Sequence, residues 1–173
     1  RFTLPRTDGI LCNSHYTEGV VRRQNSHTWL VPNALRLPFF EIPLAEPPDR
    51  PMKPTILNIG TVTSYKRQLE LLLLGEQLHR SGFSFEMQFV GVADPRSHYG
   101  RLFLDRVAAA EKEGYVRHLG LLGLPELIAK LDMASALVHI PSEEAFGLGV
   151  AEALGRNLQF FGTATGGVPD IAA

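Results

Sequence analysis

Ala136-Leu-Val-His-Ile-Pro-Ser-Glu-Glu-Ala-Phe-Gly-Leu-Gly-Val-Ala-Glu152 contains an apolar run closed by Pro141, an acidic turn at Glu143 and Glu144, and a helix opening near Gly147. A buried strand that passes through a short loop into a helix is the building unit of a parallel α/β sheet. In open parallel sheets ligands bind beyond the carboxyl ends of the strands, which puts this loop on the functional edge. The helix start offers free N–H groups at Phe146, Gly147 and Leu148 and the positive end of the helix dipole, a combination suited to phosphate or an anionic leaving group. Gly147 and Gly149 carry no side chain, so a ligand can approach the backbone closely. Glu144 and Glu152 lie eight residues apart. Ionised carboxylates only accept hydrogen bonds, and sugar hydroxyls are natural donors to them, at about 1.5–3 kcal/mol per charged bond. Taken alone, the same two acids also fit a solvated loop beside a favourable dipole.

Outward from this stretch, short apolar runs alternate with helix-period segments. Strands are expected at residues 9–13, 28–31, 55–59, 86–90, 116–119, 136–140 and 159–162. Helices are expected at 66–80, 97–113 and 125–135, the last with Pro125 in its first turn. The pattern predicts an α/β domain, a Rossmann-like parallel sheet with helices on both faces. Residues 38–54 hold six prolines and are expected to be an ordered surface crossing without helix. The last residues, Pro169 to Ala173, read as the first turn of a further helix, so the domain is expected to be truncated there.

Composition narrows the function classes. The 173 residues are 45% hydrophobic and 20% charged, as in a soluble globular domain. A net charge of -1 offers no basic excess for nucleic acid. One cysteine, Cys12, excludes an internal disulfide and is expected to be a buried small hydrophobe at a strand end. His15, His27, His79, His98, His118 and His139 show no metal-ligand spacing, and His139 is distinguished by lying on the strand that leads to Glu144. Ser14 and Ser142 have no His or Asp at local motif distance for a hydrolase triad.

Pro141, Ser142, Glu144, Phe146, Gly147, Leu148, Glu152 and Ala153 form a pattern that resembles the Glu-x7-Glu signature of glycosyltransferase family 4, the retaining group 1 glycosyl transferases. The segment Gly60 to Lys66 resembles that family's strand-end Gly-Arg-x5-Lys, with Lys66 six residues after Gly60. Asn13-Ser14, Val31-Pro32-Asn33-Ala34, Phe89-Val90-Gly91, Leu119-Gly120-Leu121-Leu122 and Gly166-Gly167-Val168-Pro169-Asp170 follow in the family's order, so the resemblance covers nearly the whole chain.

The resemblance implies one half of a GT-B fold, with residues 1–173 as the nucleotide-sugar donor domain and an N-terminal acceptor domain missing. It implies Glu144 on the donor sugar and Glu152 on the ribose hydroxyls. Phe146, Gly147 and Leu148 would present backbone to the sugar and diphosphate, and Lys66 would act with Glu144 as a catalytic group by neutralising the departing diphosphate. Leu122 would present its backbone to the base, and Gly60 and Thr61 would line the phosphates. Thr61 stands where many members have an Arg, and Arg67 is the candidate second cation. Ala34, Asp170 and Asn157-Leu158-Gln159 depart from the family pattern as well. The donor implied is a UDP-, GDP- or ADP-sugar, with no metal and no further cofactor. The acceptor is a glycan, lipid or small molecule held by the missing domain, and the fragment alone is expected to be inactive. The expected location is the cytoplasm, either free or peripheral to the inner membrane in the full-length protein.

Three alternatives accompany this expectation. Gly147-Leu-Gly149 followed by Asp170 echoes a dinucleotide fingerprint, but Glu152 occupies the third glycine position. A nucleotide-sugar epimerase and a non-catalytic domain that binds nucleotide sugar or only partner proteins are the others.

Overall fold

The structure, a computed structural model, describes residues 3–45 and 53–172. In chain order the elements are β1 (Ile10–Cys12), α1 (His15–Val21), β2 (Thr28–Leu30), α2 (Pro38–Glu41), β3 (Thr55–Ile59), α3 (Gln68–Arg80), β4 (Glu86–Val90), α4 (His98–Lys112), β5 (Val116–Gly120), α5 (Leu124–Met133), β6 (Ala136–His139), α6 (Leu148–Gly155), β7 (Phe160–Gly162) and α7 (Pro169–Ala172). A single 3-10 turn at Leu4–Arg6 precedes them.

All seven expected strands form, but in two sheets. β3 to β7 build one parallel sheet in the order β5-β4-β3-β6-β7, and among the described residues β1 pairs only with β2. A strand inside a parallel sheet must be buried on both faces. Leu11 and Trp29, opposite each other in register, are 70% and 56% exposed, so the β1–β2 pair presents one bare face. Its other side packs against α1. Cys12, at the end of β1, is buried as expected.

The five-stranded sheet is a middle layer because its side chains feed two apolar clusters. Met87 and Phe89 point to one face and meet Leu71 and Leu72 of α3 and Phe103 and Val107 of α4. Leu57, Val90 and Leu137 belong to the other face, with Ile128 and Leu131 of α5 and Val150 and Ala153 of α6. Each fully buried Leu, Phe or Val stabilises the fold by about 1.5–3 kcal/mol relative to leaving it in water. Among the described residues no helix is long and apolar enough to cross a membrane.

One expectation fails. Residues 38–54 were to contain no helix, yet Pro38–Glu41 forms one turn, α2. Pro38 takes the first helical position, where an N–H has no partner to lose and the fixed φ is already suitable. Phe39 then drops into the α5–α6 side of the core, and Arg156 donates to the carbonyls of Phe39 and Ile42 at 3.0 and 2.7 Å. Pro47, Pro48 and Pro51, the rest of the argument against helix, lie outside the described residues.

Candidate functional site

From β3 the chain steps outward through β4 to β5, then returns to the other side of β3 for β6 and β7. The loops after β3 and β6 therefore leave the sheet in opposite directions, and the gap between them is the topological switch point where open α/β sheets bind ligands. A cleft of about 270 Å³ opens there, lined by Gly60, Thr61, Tyr65 and Lys66 from the first loop and by His139, Glu144, Leu148, Gly149 and Glu152 from β6 through α6. It adjoins a depression of about 310 Å³ bounded by Tyr65, Lys66, Glu143, Glu144 and Ala145. A larger depression, about 340 Å³, lies around Leu44, Asp132 and Arg156. Its two charged groups are bonded to each other and to backbone carbonyls, so the available polar chemistry is concentrated in the switch-point cleft.

The loop carrying Glu144 is fixed from three directions. Ser142 donates its N–H to the carbonyl of Tyr65 at 2.7 Å. Ser14, fully buried and capping α1 in a reciprocal box with Thr17, donates its hydroxyl to the carbonyl of Ala145. Gly167 donates to the carbonyl of Glu144 at 3.0 Å. The chain can come that close because Gly166 is in the left-handed region at φ 60, where a β-carbon would sit 1.7 Å from the Glu144 carbonyl oxygen. The expected segments around Ser14 and Gly166-Gly167 thus converge on the acidic turn.

Within the cleft, one carboxylate oxygen collects two donors. Glu144 Oε2 accepts from Lys66 Nζ and from His139 Nε2, the latter at 2.8 Å. Burial pushes the Glu144 carboxyl up, but these two hydrogen bonds and the Lys66 charge outweigh it and bring the pKa down to about 2. Glu152 differs. It is buried, its partner Arg36 is 3.4 Å away, and burial outweighs that cation to raise its pKa above the ordinary carboxylate value. Two acids in one cleft are thereby set apart, one firmly ionised and one whose charge is costly.

α6 begins at Leu148 after Gly147, whose φ of 99 turns the chain from the loop into the helix. Among the described residues nothing accepts a hydrogen bond from the N–H groups of Gly147, Leu148 or Gly149. Unfilled donors and the helix dipole face the same space as Lys66.

The structure brings together Gly60, Thr61, Lys66, Glu144, Leu148 and Glu152 from the sequence-derived set. Phe146 is buried beneath the helix start, and Gly147 supplies the turn rather than the wall. Arg67 and Leu122 do not line the cleft. Arg67 sits exposed in the left-handed region at φ 58, on the side of Tyr99, whose phenol its charge influences. Leu122 follows β5, two strands from the switch point, with its side chain packed toward the core. Sequence reasoning missed Tyr65, Arg36 and Gln68. Gln68 is almost fully buried, accepts from Thr63 N at 3.2 Å and donates to the Thr61 carbonyl at 3.0 Å, which closes the Gly60 loop. A polar residue opening the apolar face of α3 was its available signal. Arg36 reaches Glu152 from 116 positions away and had none.

No protein-family model matches the chain, and no curated protein matches it in sequence. Its fold does match solved structures. Anabaena Alr3699/HepE, in complex with UDP and glucose, superposes with a TM-score of 0.78 at 14% identity over 96% of this chain and 47% of that one. Sucrose-phosphate synthase from Thermosynechococcus elongatus gives 0.76 at 21% identity, over 95% and 43% of the two chains. A glycosyltransferase from Rickettsia africae gives 0.75 at 15%, over 94% and 46%. The chain spans a little under half the length of these structures. Its architecture, a five-stranded parallel sheet flanked by helices, is that of one Rossmann-like half of a GT-B glycosyltransferase.

Proposed function

We propose that the chain is the donor-binding half of a retaining glycosyltransferase, taking a nucleoside-diphosphate sugar in the switch-point cleft. The observation that carries this is the Lys66–Glu144 pair at the switch point, in one cleft with Glu152 and the unfilled N–H groups of α6. The diphosphate rests against the start of α6 and Lys66, which stabilise the charge that grows as the sugar departs. Glu152 accepts from the ribose hydroxyls, and Glu144 uses its unfilled oxygen, Oε1, to orient the sugar ring. The acceptor, a glycan, lipid or small molecule held by the rest of the whole protein, attacks from the leaving-group face, and its proton passes to the departing phosphate oxygen. No protein nucleophile enters. The function is therefore divided: these residues bind and orient the donor, and catalysis requires an acceptor held opposite them.

The dinucleotide alternative is weakened by the position of Asp170. A dinucleotide-binding acid closes a strand and faces a ribose, whereas Asp170 Oδ2 accepts from the His15 N–H at 2.7 Å at the start of α1.

A thermal-shift panel tests the proposal. UDP, GDP or ADP raises the melting temperature by several degrees at saturation, and NAD does not. Stabilisation by NAD alone assigns the cleft to a dinucleotide instead, and indifference to all four removes the donor-site proposal.

A further inference from the structure

His139 is used by nothing in the mechanism above, although it is the most deeply enclosed polar group in the cleft. Its side chain is 6% exposed, it ends β6, and its Nε2 donates to Glu144 Oε2 at 2.8 Å. The same oxygen accepts from Lys66 Nζ. Glu144 therefore has two donors on one atom, and they differ in freedom. Lys66 lies in a loop on a flexible four-carbon stem. His139 is built into the sheet: its carbonyl accepts from Thr163 N at 3.2 Å, and it stands in register with Gly162 of β7.

The free and the occupied cleft differ in charge. In the free protein Lys66 balances Glu144. A nucleoside-diphosphate sugar brings two negative phosphate charges to the start of α6, and among the described residues Lys66 is the cation lining that cleft. When its ammonium turns to the phosphates, Glu144 keeps only the imidazole as partner. The groups facing His139 from its surroundings are Glu144 and Lys66, with Tyr65 and Glu152 across the cleft and Arg36 behind Glu152. The flanking strands β3 and β7 carry no titratable side chain. A carboxylate left beside a buried imidazole favours the charged ring.

We propose that His139 is the positioning residue that replaces Lys66 as the counter-charge of Glu144, so that binding of the donor draws one proton from water onto the ring. Nε2–H stays on Glu144 throughout, and the incoming proton goes to Nδ1. Lys66 is thereby released to the diphosphate without leaving Glu144 uncompensated. This rests on the donor-site function proposed above, and it adds a proton to the binding equilibrium.

The experiment is calorimetric titration of the chain with UDP-glucose, GDP-mannose and ADP-glucose at pH 7.5, in buffers of different ionisation enthalpy. These diester diphosphates do not titrate near neutrality, so the buffer-dependent heat reports protein protons. The wild-type chain takes up a substantial fraction of a proton with whichever donor binds, and its affinity falls as pH rises across about 6–8. His139→Gln keeps an amide N–H for Glu144 but cannot accept the proton. It binds with no buffer-dependent heat and a flat pH profile. Nitrogen NMR of the His139 ring in the wild-type chain, recorded with and without donor, reads the added proton independently of the variant. Binding without proton uptake, or uptake that persists in His139→Gln, overturns the role of His139 and leaves the donor site standing. Binding of none of the three donors overturns both.

Discussion

Replacing Asp132 by alanine lowers the unfolding free energy by about 3–5 kcal/mol, the range for removing one partner of a buried ion pair. Asp132 and Arg156 have side chains only 3% and 2% exposed. They meet as a two-pronged pair, Nε to Oδ1 at 2.7 Å and Nη2 to Oδ2 at 2.6 Å. The remaining guanidinium N–H groups go to the carbonyls of Phe39, Ile42 and Pro43. Removing the carboxylate leaves a cation in the core that cannot lose its proton. Burial pushes the Asp132 carboxyl up, but Arg156 prevails and holds it below its ordinary value. A depressed folded pKa stabilises at neutral pH, and that stability is lost as pH falls below the ordinary carboxylate range. The variant accordingly loses part of the wild-type chain's steepening at acid pH. Urea unfolding at pH 7 and pH 3 measures both effects, and a loss under 1 kcal/mol at pH 7 contradicts the account. The effect extends to the cleft, because Arg156 ties down the segment that carries Arg36 toward Glu152.

Glu152→Gln is expected to separate binding from stability. The carboxylate offers the ribose two charged acceptors; the amide offers one neutral acceptor and an unwanted donor. At about 1.5–3 kcal/mol for charged hydrogen bonds, nucleoside-diphosphate affinity falls roughly 10- to 150-fold. Stability does not follow. Burial raises the Glu152 pKa against the partial offset from Arg36, so its contribution is lost as pH rises through the folded value, and the ionised group is a burden at neutral pH. Its removal leaves Arg36 unpaired, but that side chain is largely exposed and remains hydrated. The variant's melting temperature at pH 8 therefore equals or exceeds the wild-type value while its affinity drops. Equal affinity removes Glu152 from the donor site; a lower melting temperature makes it a structural residue.

Legibility followed sequence distance and side-chain direction. β3, β4 and α3 to α6 were readable because each carries its own period and its own stop signals, such as Pro141 after β6. The division into two sheets was hidden, since residues 10–12 and 28–30 look like any apolar strand until pairing partners are assigned. α2 was hidden because the same proline that breaks a helix interior opens one at its first position. In the cleft, Glu144 and Glu152 were legible as acids beside a helix start, and their roles and that of Lys66 came from the resemblance to the Glu-x7-Glu and Gly-Arg-x5-Lys patterns. Arg67 was not placed, because its left-handed backbone turns the side chain out of the helical projection. Arg36 and Gln68 act through contacts that only the folded chain creates.

The proposed donor site requires one nucleoside diphosphate in the gap between the β3 and β6 loops. A crystal structure of the chain with whichever of UDP, GDP or ADP gives the largest thermal shift tests it directly. In that structure the diphosphate lies on the Leu148 and Gly149 N–H groups and Lys66, with the ribose hydroxyls on Glu152. A nucleotide bound elsewhere, or bound in the cleft with its phosphates turned away from the start of α6, contradicts it.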